Sequence, residues 1–328
     1  MNKKPLHILC LVSALVIQQA DKSAAQYTPL KTKFEVEIVD KSFAYGPTDR
    51  VVPLRIYLPK TGTLNPVILF SHGLGGSRQA SPFLGKQWSE RGYCVVFMQH
   101  AGSDIDVLKN AARFQRLKSL KNAINSESFK DRINDVRATI DQLEKLSLTR
   151  GQFCGRLDLD RLGMCGHSYG AITTQAVSGQ SYGLQGQAYT DSRIKAAIAL
   201  SPSMPSLGGT SKTFAMVKIP WLLMTGTDDN SPVNRRVDAK SRREVFKSLP
   251  SSGHCFEMVL NKGTHFIFGG RSDRLPATQE SKQQQNSIKA ISTAFWDAYL
   301  MKSPAALSWL KSDELKTVLD DQDTWSTK

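Results

Sequence analysis

The strongest constraint on this chain is a recurrence of short, almost wholly apolar runs. PVILFSHG (66–73), YCVVFMQ (93–99), LGMC (162–165), IKAAIALSP (194–202) and IPWLLMTGTDD (219–229) are each followed by a turn. A strand with one wet face must alternate apolar and polar residues. Runs without alternation are strands buried on both faces. VVPLRIYLP (51–59) reads as an earlier strand and CFEMVL (255–260) as the last. Between them lie helical segments: residues 81–91, residues 131–146 with Ile133, Val136, Ile140, Leu143 and Leu146 on one face, residues 239–248, and residues 287–300 with Ile288, Ile291, Phe295 and Tyr299. This alternation predicts an α/β fold, a mostly parallel central sheet with helices on both faces. No repeat or low-complexity linker divides residues 26–328, which are expected to form one domain. It carries a polar insertion at about 104–130 and a polar tail at about 311–328, the latter a flap or loose.

Residues 1–25 have a basic start, an apolar run from Ile8 to Ile17 and the small residues Ser23-Ala24-Ala25. That pattern is an export signal cleaved near Ala25, so a periplasmic or secreted protein is expected. The apolar run is about half the length a membrane span needs, and no other stretch is longer, so no membrane span is expected. Beyond Cys10 the cysteines are Cys94, Cys154, Cys165 and Cys255. They contain no C-x-x-C pair and match no metal site. Export permits disulfides, and the sequence does not choose among the pairings; Cys94 and Cys165 lie inside apolar runs and read equally well as buried thiols.

A net charge of +14 favours anionic surfaces or polymers. The densest basic cluster is Lys109, Arg113, Arg116, Lys118 and Lys121, interleaved with Phe114, Leu117, Leu120 and Ile124 at helical spacing. It reads as an amphipathic helix whose basic face is either solvated or, as patch 109–121, contacts an anionic surface. Zinc-finger spacing, homeodomain pattern and glycine-lysine phosphate loop are all missing, so no nucleic-acid partner is expected.

The chemistry concentrates at Gly166-His167-Ser168-Tyr169-Gly170. A Gly-x-Ser-x-Gly pentapeptide alone is weak. Here an apolar strand precedes it and a small-residue helix follows, the arrangement that lifts a serine oxygen clear on a sharp turn. Ser168 is therefore the candidate nucleophile, and it needs a base to take its proton. His265, in NKGTHFIF just past the last expected strand, is that base; His254 lies before the strand, at the wrong end. The orienting acid falls in Thr227-Asp228-Asp229-Asn230, where Asp229 is favoured and Asp228 is the alternative. The oxyanion donors are expected to be the backbone N–H groups of Tyr169 and of Leu74, in the glycine-rich turn after PVILFSHG. His72 is read as bracing that turn.

ILFSHGLGGSR (68–78), RLGMCGHSYGA (161–171), MTGTDDNSP (224–232) and GTHF (263–266) together resemble the α/β-hydrolases over residues 50–310. The likeness is to the lipase/esterase branch that includes dienelactone hydrolase-like and platelet-activating-factor acetylhydrolase-like enzymes. The resemblance implies an α/β-hydrolase fold and a serine esterase with the triad Ser168, Asp229 and His265. It implies no cofactor and no metal, and a small-molecule or lipid ester as substrate. In the family the aspartate three residues beyond the strand-ending glycine serves, which from Gly226 is Asp229. Dienelactone hydrolases carry cysteine where this chain has Ser168. Polyester-degrading cutinases carry clamp aromatics where it has Leu74 and Ser203. The expectation is therefore a carboxylic-ester hydrolase. An amidase or peptidase on the same residues, a cutinase-like polyester hydrolase, and a non-enzymatic basic surface-binding protein stand as alternatives.

Overall fold

The computed structural model describes residues 26–205, 208–270 and 278–328; the expected export signal at 1–25 lies outside the described residues. A nine-stranded sheet runs in the order β1-β2-β4-β3-β5-β6-β7-β8-β9. Its strands are β1 (Val36–Tyr45), β2 (Arg50–Pro59), β3 (Asn65–Ser71), β4 (Cys94–Met98), β5 (Leu157–His167), β6 (Ile194–Leu200), β7 (Trp221–Asp228), β8 (Cys255–Thr264) and β9 (Thr324–Thr327). From β4 through β8 every pairing is parallel. β1, β2 and β9 are antiparallel additions at the two edges. The unbroken apolar runs behave as expected, with every residue of β3 and β4 buried.

Helices cover both faces. On one, α1 (Pro82–Arg91) lies beside a later helix, α9 (Gln279–Tyr299), and Trp88 meets Trp296 edge-on at 5.9 Å. On the other lie α4 (Ser126–Leu148) and α5 (Tyr169–Val177); Ile133, Val136, Ile140 and Leu143 of α4 pack on Val67, Leu69 and Val96. The basic segment of the insertion, expected as one amphipathic helix, is broken into short pieces. The insertion folds into α2 (Asp106–Lys109), a 3₁₀ turn Arg113–Gln115 and α3 (Arg116–Asn122), and its last residues already belong to α4. The reason is a capping box, in which the Asn125 side chain accepts from the Ser128 N–H at 2.9 Å and the Asn125 N–H donates to Ser128 Oγ. The expected helix at 239–248 is two short ones, α6 (Ala239–Arg242) and α7 (Glu244–Ser248), and α8 (His265–Phe268) opens directly from β8.

One expectation is corrected, and one open question is answered. The tail at 311–328 is neither flap nor loose. After α10 (Pro304–Leu310) and a 3₁₀ turn, β9 pairs with β8 and covers an edge that would otherwise present unpaired backbone groups. Trp325 stacks on Phe256 at 5.4 Å and donates its indole N–H to the Leu310 carbonyl at 3.1 Å, which pins the strand. All four cysteines Cys94, Cys154, Cys165 and Cys255 are free thiols. Cys94 and Cys165 point into the cores on opposite faces of the sheet, out of reach of each other. Among the described residues no helix is long and apolar enough to cross a membrane.

Candidate active site

Ser168 sits between β5 and α5 with φ 57° and ψ −114°, a conformation that a non-glycine residue adopts only at a cost. The flanking glycines make the turn possible. A Cβ on Gly166 would fall on the Gly170 carbonyl, and one on Gly170 on the Ser71 carbonyl of β3. Strand, turn and helix therefore close to within backbone contact, and the serine side chain is left partly exposed above the ends of the parallel strands.

His265 and Asp229 meet there. His265 Nδ1 lies 2.7 Å from Asp229 Oδ1, and Nε2 lies 2.9 Å from Ser168 Oγ. The carboxylate can only accept, so Nδ1 carries the proton and Nε2 presents its lone pair to the serine hydroxyl. The chain thus carries the hydrogen-bonded serine–histidine–aspartate arrangement of a serine hydrolase. Asp229 is wholly buried, and its second oxygen accepts from Thr225 Oγ1 at 2.9 Å. Asp228 is exposed at the end of β7, and His254 is exposed against Tyr299, 3.0 Å from its hydroxyl.

The sequence reading missed Arg242. It is 1 % exposed, and its Nε lies 2.9 Å from Asp229 Oδ1 and 2.7 Å from the Asp229 carbonyl. Nη1 reaches the carbonyls of Ser201 and Pro202 at 2.9 and 3.0 Å. Nη2 stands 3.1 Å from His265 Nδ1. That hydrogen already points at Asp229, so the last contact is a charge placed beside the ring. One buried cation therefore ties the acid, the histidine and the loop after β6 together. Burial lowers the guanidinium below its usual range, against the pull of Asp229. Residues 235–243 carry Arg235, Arg236, Lys240, Arg242 and Arg243, and nothing in their spacing marks which one is buried.

Leu74 follows β3 and Tyr169 opens α5, and neither N–H has an acceptor among the described residues. His72 is wholly buried. Its Nε2 accepts the His100 N–H at 3.0 Å, so its Nδ1–H donates to the Gly73 carbonyl at 2.7 Å. That carbonyl belongs to the same trans peptide as the Leu74 N–H. Holding the oxygen on one side aims the N–H to the other.

Behind this loop lies a second network of triad-like geometry that the sequence did not disclose. Ser71 Oγ is 2.9 Å from His100 Nε2, and His100 Nδ1 is 2.9 Å from Asp135 Oδ2. Asp135 also takes Arg50 Nε at 2.8 Å and the Tyr45 hydroxyl at 2.7 Å. Arg132 donates to the His72 carbonyl at 2.8 Å and stacks 4.3 Å from the Tyr169 ring. Ser71 and His100 are fully buried and border none of the described cavities. Burial first, then Arg132, lowers His100 to about 4, and the same causes with His100 itself lower His72 well below its usual range. Below about pH 6.5 the unfolded chain binds protons that these rings refuse. Stability should therefore be complete above that pH and fall towards pH 4, by up to about 1.4 kcal/mol per pH unit for each histidine. Urea unfolding at pH 7 and pH 5 measures this, and equal midpoints would exclude it.

Ser168 stands between two apolar cavities. One, about 280 Å³, is lined by Leu74, Leu108, Leu117, Leu120, Val233 and Phe266. The other, about 460 Å³, is lined among others by Ile124, Phe129, Ile172, Tyr182 and Met204. A larger cavity of about 600 Å³ under the tail holds no nucleophile beside a base. Leu108, Leu117 and Leu120 show that the insertion walls the site, and Leu74 and Ser203 line the cavities without supplying an aromatic clamp. Compared with known proteins, the chain matches no family model and no curated protein.

Proposed function

We propose that the protein is a serine carboxylic-ester hydrolase of α/β-hydrolase type, acting through Ser168, His265 and Asp229. The observation that carries this is the Ser168–His265–Asp229 chain, at 2.9 and 2.7 Å, opening between two apolar cavities. A mostly parallel sheet with helices on both faces supports the fold assignment.

His265 Nε2 takes the Ser168 proton as Oγ attacks the ester carbonyl, and Asp229 holds the resulting imidazolium. The N–H groups of Leu74 and Tyr169 receive the oxyanion, with the N-terminus of α5 adding its positive end. Collapse expels the alcohol, which takes the proton from His265. Water then attacks the acyl-enzyme by the same route, releasing the acid and restoring Ser168. Apolar walls on both sides of the serine suit an ester with apolar acyl and alcohol parts of small or medium size. On this reading residues 1–25 direct export.

The test is a panel of p-nitrophenyl esters from acetyl to dodecanoyl beside matched anilides, together with a serine-directed fluorophosphonate. Ester hydrolysis well above anilide hydrolysis is expected. Faster anilide hydrolysis would make the enzyme an amidase. Failure of the fluorophosphonate to label Ser168 would leave only a surface-binding role.

A further inference from the structure

The stretch from Val107 to Ser126 contains Lys109, Arg113, Arg116, Lys118 and Lys121 and no acidic residue at all. Lys109 is neutralised by Asp106 at 2.7 Å. The other four are exposed, and none forms an ion pair with a described residue. In their midst Phe114 is 85 % exposed and Leu117 50 %. A large apolar ring so fully in water, in a run of cations that form no ion pair with a described residue, contributes nothing to the core.

Leu117 and Leu120 line the cavity above Ser168, while Phe114 and the four cations line none of the described cavities and stand in solvent. Phe266, next to His265, adds a half-exposed ring to the same cavity. The exposed basic residues and the leucines that wall the cavity therefore belong to one short stretch, 113–121, so a surface that binds the cations lies beside the cavity that holds Ser168.

We infer that residues 109–121 dock the protein onto an anionic lipid surface, with Phe114 entering the acyl boundary and Arg113, Arg116, Lys118 and Lys121 pairing with headgroups. This rests on the esterase reading for its purpose: the ester reaches Ser168 from that surface through the leucine-lined cavity. Charge complementarity selects an anionic partner. The exposed phenylalanine selects lipid over a soluble polyanion, because the ring gains nothing from a sulfate and gains transfer free energy in a lipid interface.

The experiment is co-sedimentation of the full protein with vesicles of phosphatidylglycerol and of phosphatidylcholine, run beside hydrolysis of soluble p-nitrophenyl butyrate. Binding to phosphatidylglycerol alone is expected, weakening with salt. A triple variant, Arg113→Gln with Lys118→Gln and Lys121→Gln, should lose about tenfold or more in vesicle affinity, and Phe114→Ser a comparable factor. Both should keep butyrate turnover, since neither changes a cavity residue. Equal binding to phosphatidylcholine, or unaltered binding by the variants, overturns the proposal. So does binding to dextran sulfate as tight as to vesicles and indifferent to Phe114→Ser. Vesicle binding without any ester hydrolysis would leave the docking surface standing and remove the esterase reading; hydrolysis without vesicle binding would do the reverse.

Discussion

Ser168→Ala should lower turnover of a short p-nitrophenyl ester by at least about 10³-fold, while Ser71→Ala stays within an order of magnitude of the parent. The contrast matters because both serines head a Ser–His–Asp chain of similar geometry. What separates them is access. Ser168 borders two cavities, whereas Ser71 has no exposed surface and Arg132 reaches its Oγ at 3.3 Å. An attacking oxygen must approach a carbonyl carbon, and Ser71 has no space for one. Its network serves as a tie between β3, the loop after β4, and α4. Ser71→Ala leaves His100 Nε2 without its donor and should cost about 1–3 kcal/mol of stability. Turnover and urea midpoints measured on both variants decide the matter. If Ser71→Ala were the inactive variant and Ser168→Ala the active one, the catalytic roles would exchange.

Arg242→Met should be the most damaging change outside the triad. It removes the cation from a buried pair with Asp229 and unpairs the carbonyls of Ser201 and Pro202. Breaking one side of a buried ion pair costs about 3–5 kcal/mol, because the remaining charge has lost its compensation. Catalysis should fall as well, through turnover more than through KM, since Arg242 positions Asp229 and His265. Arg242→Lys should rescue little; an ammonium cannot hold the acid, the loop carbonyls and the flank of the imidazole at once. A double-mutant cycle with Asp229→Asn separates the pair from its surroundings, and strictly additive effects on turnover would remove the positioning role.

Much of this was legible because it is local. The unbroken apolar runs, the glycines at 166 and 170, and the spacing from Gly226 to Asp229 are consequences of a few neighbouring residues. Each glycine is demanded by a backbone approach that a Cβ would block. The choice of Asp229 over Asp228 was already favoured, and the structure places the first at His265 and the second in solvent.

The order of residues is enough to specify the alternation of buried strands and helices and the sharp turn that presents Ser168. Which distant side chains complete the site follows only from folding: Arg242 against Asp229, His72 on the Gly73 carbonyl of the Leu74 peptide, and the leucines of the insertion around the serine's cavity. Folding also decides that the tail closes the sheet and that Cys94 and Cys165 stay apart. The physical reason is the same in each case. Periodicity and turn chemistry act over a few residues and leave a mark in the order of the chain, whereas burial of a charge or a strand edge depends on surfaces that meet only after the chain has folded.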